Sequence, residues 1–378
     1  MQFYMPSRLF FGPGEVQNIN ETVTKVLKSR KPVLVTDKGV VACGLVQKVT
    51  ALLPELKIYD GIEANPKSDT INAIGQELRV LKPDLIIGLG GGSSLDAGKA
   101  LALLAVNEGN IENYEGREKY VREPLPLLAI PTTCGTGSEV TWVSVITDVN
   151  RKFKMSIKGS KLYPAASIVD PDLIRTLPKR VIASTGLDAL THAVEAYLSK
   201  PATLITDIHA EKAVKLILGS VEDAWKDIEN NFHARENLMY GATIAGLAFG
   251  NADVTAVHCI SESIGALYDV PHGIANSIFL PHVLEYNRPS CEIKMAELAR
   301  KTGIVEQDAS AEARSFIENI RMLSSRLEIP VFKDLDIGPD KFELIADMSF
   351  RNNSNPSNPR ALGQKDYVKI LEMAYKDN

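Results

Sequence analysis

The sequence predicts two regions of different class: an α/β region with a mostly parallel sheet, followed by an all-α region. Three observations lead there. Short apolar runs alternate with helix-period segments as far as Pro178. Two of those runs lead directly into turns rich in glycine, threonine and serine. Beyond Pro178, strand-like runs nearly vanish and long helical patterns succeed one another. A chain of 378 residues is too long for one ordinary core, so we place a domain boundary near 176–180 and expect domains 1–178 and 179–378.

Taken in order, residues 1–12 read as an extended segment closed by Gly12-Pro13-Gly14. Residues 15–29 carry a helical pattern. The run 32–37 is apolar and ends in Asp37, the signature of a buried strand. A helix is expected around 41–53, a short strand at 56–59 and, after the Asn65-Pro66 turn, a helix over 68–81. Residues 84–89 form the clearest strand, and they run into Gly90-Gly91-Gly92-Ser93 and a helix to about Val106. Residues 125–130 read as another buried strand, followed by the turn 131–138. In the second region, helices are expected over 179–199, 202–225, 231–249, 252–266, 273–287, 290–303, 308–326 and 365–376, with a polar loop at 351–360.

Composition narrows the function classes. Apolar and charged fractions of 45% and 24% are those of an ordinary globular protein, and a net charge of −5 leaves no basic footprint for nucleic acid. No apolar run reaches the ~20 residues of a membrane span, and no signal peptide is visible. Cys43, Cys134, Cys259 and Cys291 are scattered and read as free thiols of a cytoplasmic protein, with Cys43 and Cys291 as small core fillers.

Two features carry chemistry. The first is the glycine turn. Glycines allow a positive φ and close ligand approach, and the helix that follows offers unpaired N–H groups suited to a phosphate. The alternative is a tight turn with no ligand. Two such turns at strand ends point to one crevice, and Asp37 sits where an acid could bond a ribose and repel a 2′-phosphate, or simply cap a helix. The second is the segment 185–199. Asp188 and His192 lie four apart on an apolar helix, so they share a buried face. They either satisfy each other and the backbone or share a metal. His258 and His272 would stand ~21 Å apart on one continuous helix, but Pro271-His272-Gly273 breaks it and lets the chain fold back. Three imidazoles and a carboxylate would then suit a divalent transition metal, although each could equally be a satisfied core residue.

The set G-G-G-S-x-x-D-x-x-K at 90–99, P-T-T-C-G-T-G-S-E-V-T at 131–141, G-L-D-A-L-T-H-A-V-E-A-Y at 186–197 and Y-D-V-P-H-G-I-A-N at 268–276 resembles the iron-containing (group III) alcohol dehydrogenases over nearly the whole chain. The resemblance implies a Rossmann-like N-terminal domain and a helical C-terminal domain, the two-domain architecture also seen in dehydroquinate synthase, with the active site in the cleft between them. It implies that Asp188, His192, His258 and His272 hold a metal, Fe²⁺ or alternatively Zn²⁺ or another divalent ion. It implies NAD contacts at Asp37, Asn65, Gly91, Gly92, Ser93, Asp96, Thr132, Thr133, Thr141, Val145 and Lys154, and a substrate pocket shaped by Val143, Phe249 and Val254. It also implies a homodimer or larger homo-oligomer, with no nucleic-acid or membrane partner.

Two departures stand out. Many members carry a second histidine one turn beyond the third ligand, where this chain has Glu262, which could relay protons, pair with a cation or recognise a different substrate. The segment 349–359 is longer than the family's short loop and carries Arg351, Asn352 and Asn353. We expect Arg351 either to contact a polar or anionic substrate tail or to belong to a solvated loop. The activity implied is NAD-linked interconversion of a primary alcohol and an aldehyde. The alternatives are a glycerol dehydrogenase- or dehydroquinate synthase-like enzyme of the same fold, or a non-catalytic nucleotide- or metal-binding protein.

Overall fold

A computed structural model describes residues 2–377. The chain divides into two compact units. One is Tyr4–Leu177, and the other runs from Pro178 onward and includes Gln2 and Phe3.

The first unit is built on a six-stranded sheet of order β1-β9-β6-β4-β2-β3, parallel throughout. Its opening strand β1 (Arg8–Phe11) is followed by irregular helical turns around α1 (Ile19–Glu21), where a regular helix is expected from the pattern. Strand β2 (Pro32–Val35) leads through Asp37 into α2 (Lys38–Ala42) and α3 (Leu45–Leu52). These are two helices where one was expected, because Gly44 takes a left-handed conformation between them. Next come β3 (Lys57–Tyr59), α4 (Ser68–Leu81), β4 (Leu85–Gly90) and α5 (Gly92–Leu104), close to the expected spans. Every residue of β4 is buried, which explains its unbroken apolar run.

The rest of this unit departs from expectation. Besides β6 (Leu127–Pro131) and β9 (Ala166–Val169) in the main sheet, there is a second sheet of order β5-β8-β7, built from β5 (Gly116–Arg117), β7 (Val143–Asp148) and β8 (Phe153–Lys158). Strands β7 and β8 form an antiparallel hairpin. The expectation of a parallel sheet therefore holds for the main sheet and omits this hairpin. Two apolar clusters sandwich the main sheet: Val33, Ile86 and Leu101 are among those on one face, Leu34, Ile87 and Leu128 on the other.

The second unit is helical. Its helices are α6 (Lys179–Leu198), α7 (Leu204–Leu218), α8 (Val221–Asp227), α9 (Phe232–Phe249), α10 (Ala256–Tyr268), α11 (His272–Lys301), α12 (Ala309–Arg326), α13 (Phe342–Arg351) and α14 (Gln364–Lys376). Helix α6 is buried along most of its length, so its apolar and small residues face protein all round. The two helices expected over 273–303 run together as α11, with one non-helical residue, Cys291, two positions after Pro289. Ser349 and Arg351, placed in a loop by sequence, belong to the last turn of α13. Cys43 is exposed and fills no core, whereas Cys134, Cys259 and Cys291 are buried; all four are free thiols.

Candidate active site

In the first unit, strand, turn and helix meet with almost no connector. Strand β4 ends at Gly90 and α5 begins at Gly92, leaving Gly91 as the N-cap. Gly90 has φ +150°, and a Cβ there would stand 2.5 Å from Ser94 Oγ. At Gly92 a Cβ would meet the Thr136 side chain at 2.4 Å. The two turns, 90–93 and 131–138, thus interlock where only glycine fits. No side chain caps α5, and an uncapped helix N-terminus is the arrangement that receives a phosphate.

Asp37 meets the helix-cap expectation and is also tied to the glycine turn. It caps α2, accepting from Val40 N at 3.0 Å, and its other oxygen accepts from Ser94 Oγ at 2.9 Å in the first turn of α5. Thr132 N donates to Gly90 O at 2.9 Å, which joins the second turn to the first. Thr133 packs against Gly91. Asp96 accepts from Ser138 Oγ at 2.6 Å and from Val145 N at 3.0 Å. Its carboxyl is raised above the ordinary range by burial, which Lys99, Ser138 and Val145 oppose. Asn65, at φ +53°, accepts from Lys154 Nζ at 2.8 Å. Val143 opens β7 and is half-buried, and its carbonyl accepts from Lys99 Nζ at 2.8 Å.

Sequence reasoning passed over Lys99 as a residue with a task. It is fully buried, and its ammonium also donates to Ser138 Oγ at 2.7 Å and Thr141 Oγ1 at 3.2 Å. Burial lowers its pKa to about 8, against the opposing charges of Asp96 and Glu139. Lys99 therefore pins the second turn and β7 to α5.

In the second unit, α6 presents Asp188 and His192 on one face, with Asp188 Oδ1 4.0 Å from His192 Nδ1. Helix α10 carries His258 near its start. The chain reverses at Asp269, in the left-handed conformation, and α11 begins at His272. The break between the two helices falls where the sequence places it, and the reversal brings the rings of His258 and His272 to 5.1 Å. One ligand atom from each of Asp188, His192, His258 and His272 lies within 4.8 Å of all the others. Phe249 stacks on His192 with centroids 4.3 Å apart. Val254 is half-buried beside Asp253.

Two residues that sequence reasoning left unassigned organise this cluster. Glu195 lies seven positions after Asp188 on the same buried face of α6. It accepts from His258 Nδ1 at 2.5 Å, Thr255 N at 3.0 Å, Thr255 Oγ1 at 2.5 Å and Val257 N at 2.8 Å. It both caps α10 and fixes the ring of His258. With Nδ1 donating to Glu195, Nε2 keeps its lone pair for the cluster. Asn276, one turn after His272, sends Nδ2 toward Asp188 Oδ1 (2.6 Å), His258 Nε2 (3.1 Å) and His272 Nε2 (3.2 Å). Three acceptors of the quartet therefore converge on one electropositive group, which is the geometry a cation demands. Three imidazoles and one carboxylate suit a divalent transition ion, so the residues fit a metal.

The His258 imidazole is held above its ordinary range. Burial acts to lower it, and Glu195, with smaller contributions from Asp188 and Glu262, overrides burial. Glu262 is half-buried one turn beyond His258 and accepts from Asn352 Nδ2 at 2.6 Å. Arg351 is not brought to this cluster: its side chain is 64% exposed and pairs with Asp347 at 2.5 Å.

A glycine turn at a helix N-terminus in one unit, and a buried carboxylate–imidazole cluster able to hold a metal in the other, are the parts of a metal-assisted, nucleotide-dependent dehydrogenase. Family models agree: "Iron-containing alcohol dehydrogenase" matches residues 6–171 and "Fe-containing alcohol dehydrogenase family, C-terminal" matches residues 182–375. The 1,3-propanediol dehydrogenase of Citrobacter freundii is 37% identical over 385 residues, covering 99% of this chain and 98% of the relative. A crystal structure of a 1,3-propanediol oxidoreductase superposes with a TM-score of 0.94 at 36% identity, covering 99% of each chain. Sulfoacetaldehyde reductase from Bifidobacterium kashiwanohense, solved in complex with NAD⁺, gives a TM-score of 0.90 at 28% identity, covering 100% of this chain and 99% of that one. The chain belongs to the iron-containing alcohol dehydrogenase family. It is a metal-dependent, NAD(H)-linked oxidoreductase interconverting alcohols and aldehydes. Among the described residues, no helix is long and apolar enough to cross a membrane.

Proposed function

We propose that this enzyme uses NAD(H) in preference to NADP(H) and acts on small primary alcohols and the matching aldehydes. In this reading Asp188, His192, His258 and His272 hold the metal. The convergence of three of their acceptors on Asn276 Nδ2 is the single observation that carries it. Gly91, Gly92 and Ser93 receive the pyrophosphate at the N-terminus of α5. Asp37, held by Ser94 and Val40, meets the ribose and repels a 2′-phosphate. Asn65, Asp96, Thr132, Thr133, Thr141, Val145 and Lys154 complete the cofactor contacts, and Lys99 positions Thr141.

When bound, the metal supplies Lewis-acid polarisation of the substrate oxygen and the nicotinamide supplies or accepts the hydride. The residues of the chain do the rest. Glu195 holds His258 with Nε2 turned to the ligand cluster, so little reorganisation is needed on binding. Phe249, stacked on His192, keeps the cluster apolar on that side and limits water. Val254, in the same unit as the cluster, shapes the alcohol pocket.

The test is NADH formation from a panel of short primary alcohols after anaerobic loading with Fe²⁺ or Zn²⁺. Activity lost on chelation, regained on metal return, and lower with NADP⁺ than with NAD⁺ is the expected result. An enzyme indifferent to chelators overturns the metal assignment. We also assign the protein to the cytoplasm as a homo-oligomer. Four free thiols support the reducing compartment, and the exposed Leu204, Ile205 and Ile208 of α7 support a self-association face. Light scattering that reports a monomer overturns the latter.

A further inference from the structure

Glu262 is a carboxylate with one neutral partner. It lies four residues after His258 on α10, so the two side chains share a helix face about one turn apart. Asn352 Nδ2 donates to Glu262 Oε2 at 2.6 Å. The Asn352 amide is itself fixed, because its Oδ1 accepts from Ser354 N at 2.9 Å, so the NH₂ must face Glu262. Helix α13, which ends just before Asn352, is tied to α10 by Ser349 Oγ, 3.2 Å from Ser263 Oγ. Among the described residues, no cation lies within ion-pair distance of Glu262 and nothing bonds its Oε1. The neighbouring Arg351 is committed to Asp347. Asp253, next to Val254, accepts only from neutral donors: Ser354 Oγ at 3.1 Å, Ser357 Oγ at 2.6 Å and Val254 N at 2.9 Å. On the side toward 351–357, Glu262 and Asp253 therefore bond only neutral donors, while the basic side chains of that segment's surface, Arg351 and Lys200, are turned to Asp347 and to Pro356 O.

A charged carboxylate can only accept, and a half-buried one placed against an apolar substrate tail loses water without replacement. Against an anionic tail it repels. A tail that carries an O–H or N–H donor satisfies it. We propose that Glu262, positioned by Asn352, selects alcohols bearing a second hydrogen-bond donor, a hydroxyl or a protonated amine, a few bonds from the reacting carbon, and disfavours carboxylate or sulfonate tails. This rests on the alcohol dehydrogenase reading of the site and names its substrate class. It reverses the charge preference that Arg351 suggested from sequence.

The experiment compares kcat/KM of the full-length, metal-loaded enzyme with NAD⁺ for four alcohols of similar size: 1-butanol, 1,3-propanediol, 3-amino-1-propanol and 3-hydroxypropanoate. For the wild type, the diol and amino alcohol are expected to exceed butanol about tenfold or more, and the hydroxy acid to fall below it. Glu262→Gln keeps size and removes charge, so the ratio of amino alcohol to hydroxy acid should fall about tenfold or more. Asn352→Leu, which frees Glu262 without touching its charge, should lower the diol-to-butanol ratio and leave the hydroxy acid disfavoured. A wild type that prefers the hydroxy acid overturns the proposal. So does Glu262→Gln lowering kcat/KM equally for all four, the mark of a proton relay or a structural part. Should Asn352→Leu not fold, the amine-to-acid ratio of Glu262→Gln decides alone. No NADH from any of the four alcohols refutes the dehydrogenase reading instead.

Discussion

Glu195→Gln tests how far the metal site depends on a residue that touches no substrate. The carboxylate takes four donors: two backbone N–H groups, a threonine hydroxyl and the His258 ring. A carboxamide of the same shape offers one accepting oxygen, so its NH₂ must face donors at the other. Two charge-assisted hydrogen bonds are lost, each worth about 1.5–3 kcal/mol, although rotation of the threonine hydroxyl recovers part. We therefore expect the metal-free protein to be destabilised by about 3 kcal/mol. The second effect concerns the metal. Without the carboxylate, His258 loses the partner that fixes its tautomer and ring orientation, a change that typically costs about 10–100-fold in metal affinity. The assay is titration of the metal-free enzyme with Zn²⁺ or Co²⁺ against a competing chelator, beside urea unfolding of the same samples. A metal Kd within twofold of wild type would refute the orienting role, whatever the loss of stability.

Three other outcomes follow from the same geometry. Because Glu195 holds the His258 imidazole above its ordinary range, the proton competes with the metal as pH falls, so affinity should weaken on acidification, and in Glu195→Gln the onset should move to lower pH; identical pH profiles of the metal Kd would contradict this. His282 is lowered to about 4 by burial and by Arg321, below its ordinary 6.5. The unfolded chain therefore binds a proton that the folded chain refuses between those values. The contribution is present above pH 6.5 and is lost as pH falls toward 4, amounting to about 3 kcal/mol. Urea unfolding of wild type and His282→Leu at pH 7 and pH 4.5 checks it, the difference between the two proteins shrinking in acid. Gly92→Ala puts a Cβ 2.4 Å from Thr136 Cγ2 and should weaken NAD⁺ binding at least tenfold, with partial rescue by the added change Thr136→Ala; fluorescence titration with NADH reads both, and an unchanged Kd in the single variant refutes the interlocked turns.

The sequence by itself determined what depends on local spacing. The unbroken apolar run of β4, the period of α4, the shared face of Asp188 and His192, and the glycine turn all arise from residues a few positions apart. It was weaker where the local signal is mixed. The hairpin β7–β8 alternates small, polar and apolar residues and went unseen, and α13 ends in a polar stretch that reads as loop. Tertiary structure alone decided who meets whom. Glu195 looks like any acidic residue near the end of a helix, and its partner His258 lies 63 positions away. Lys99 reaches Ser138 across 39 positions and Asn352 reaches Glu262 across 90. Whether a buried charge finds a partner depends on how one helix is set against another, and no periodicity within either helix encodes that.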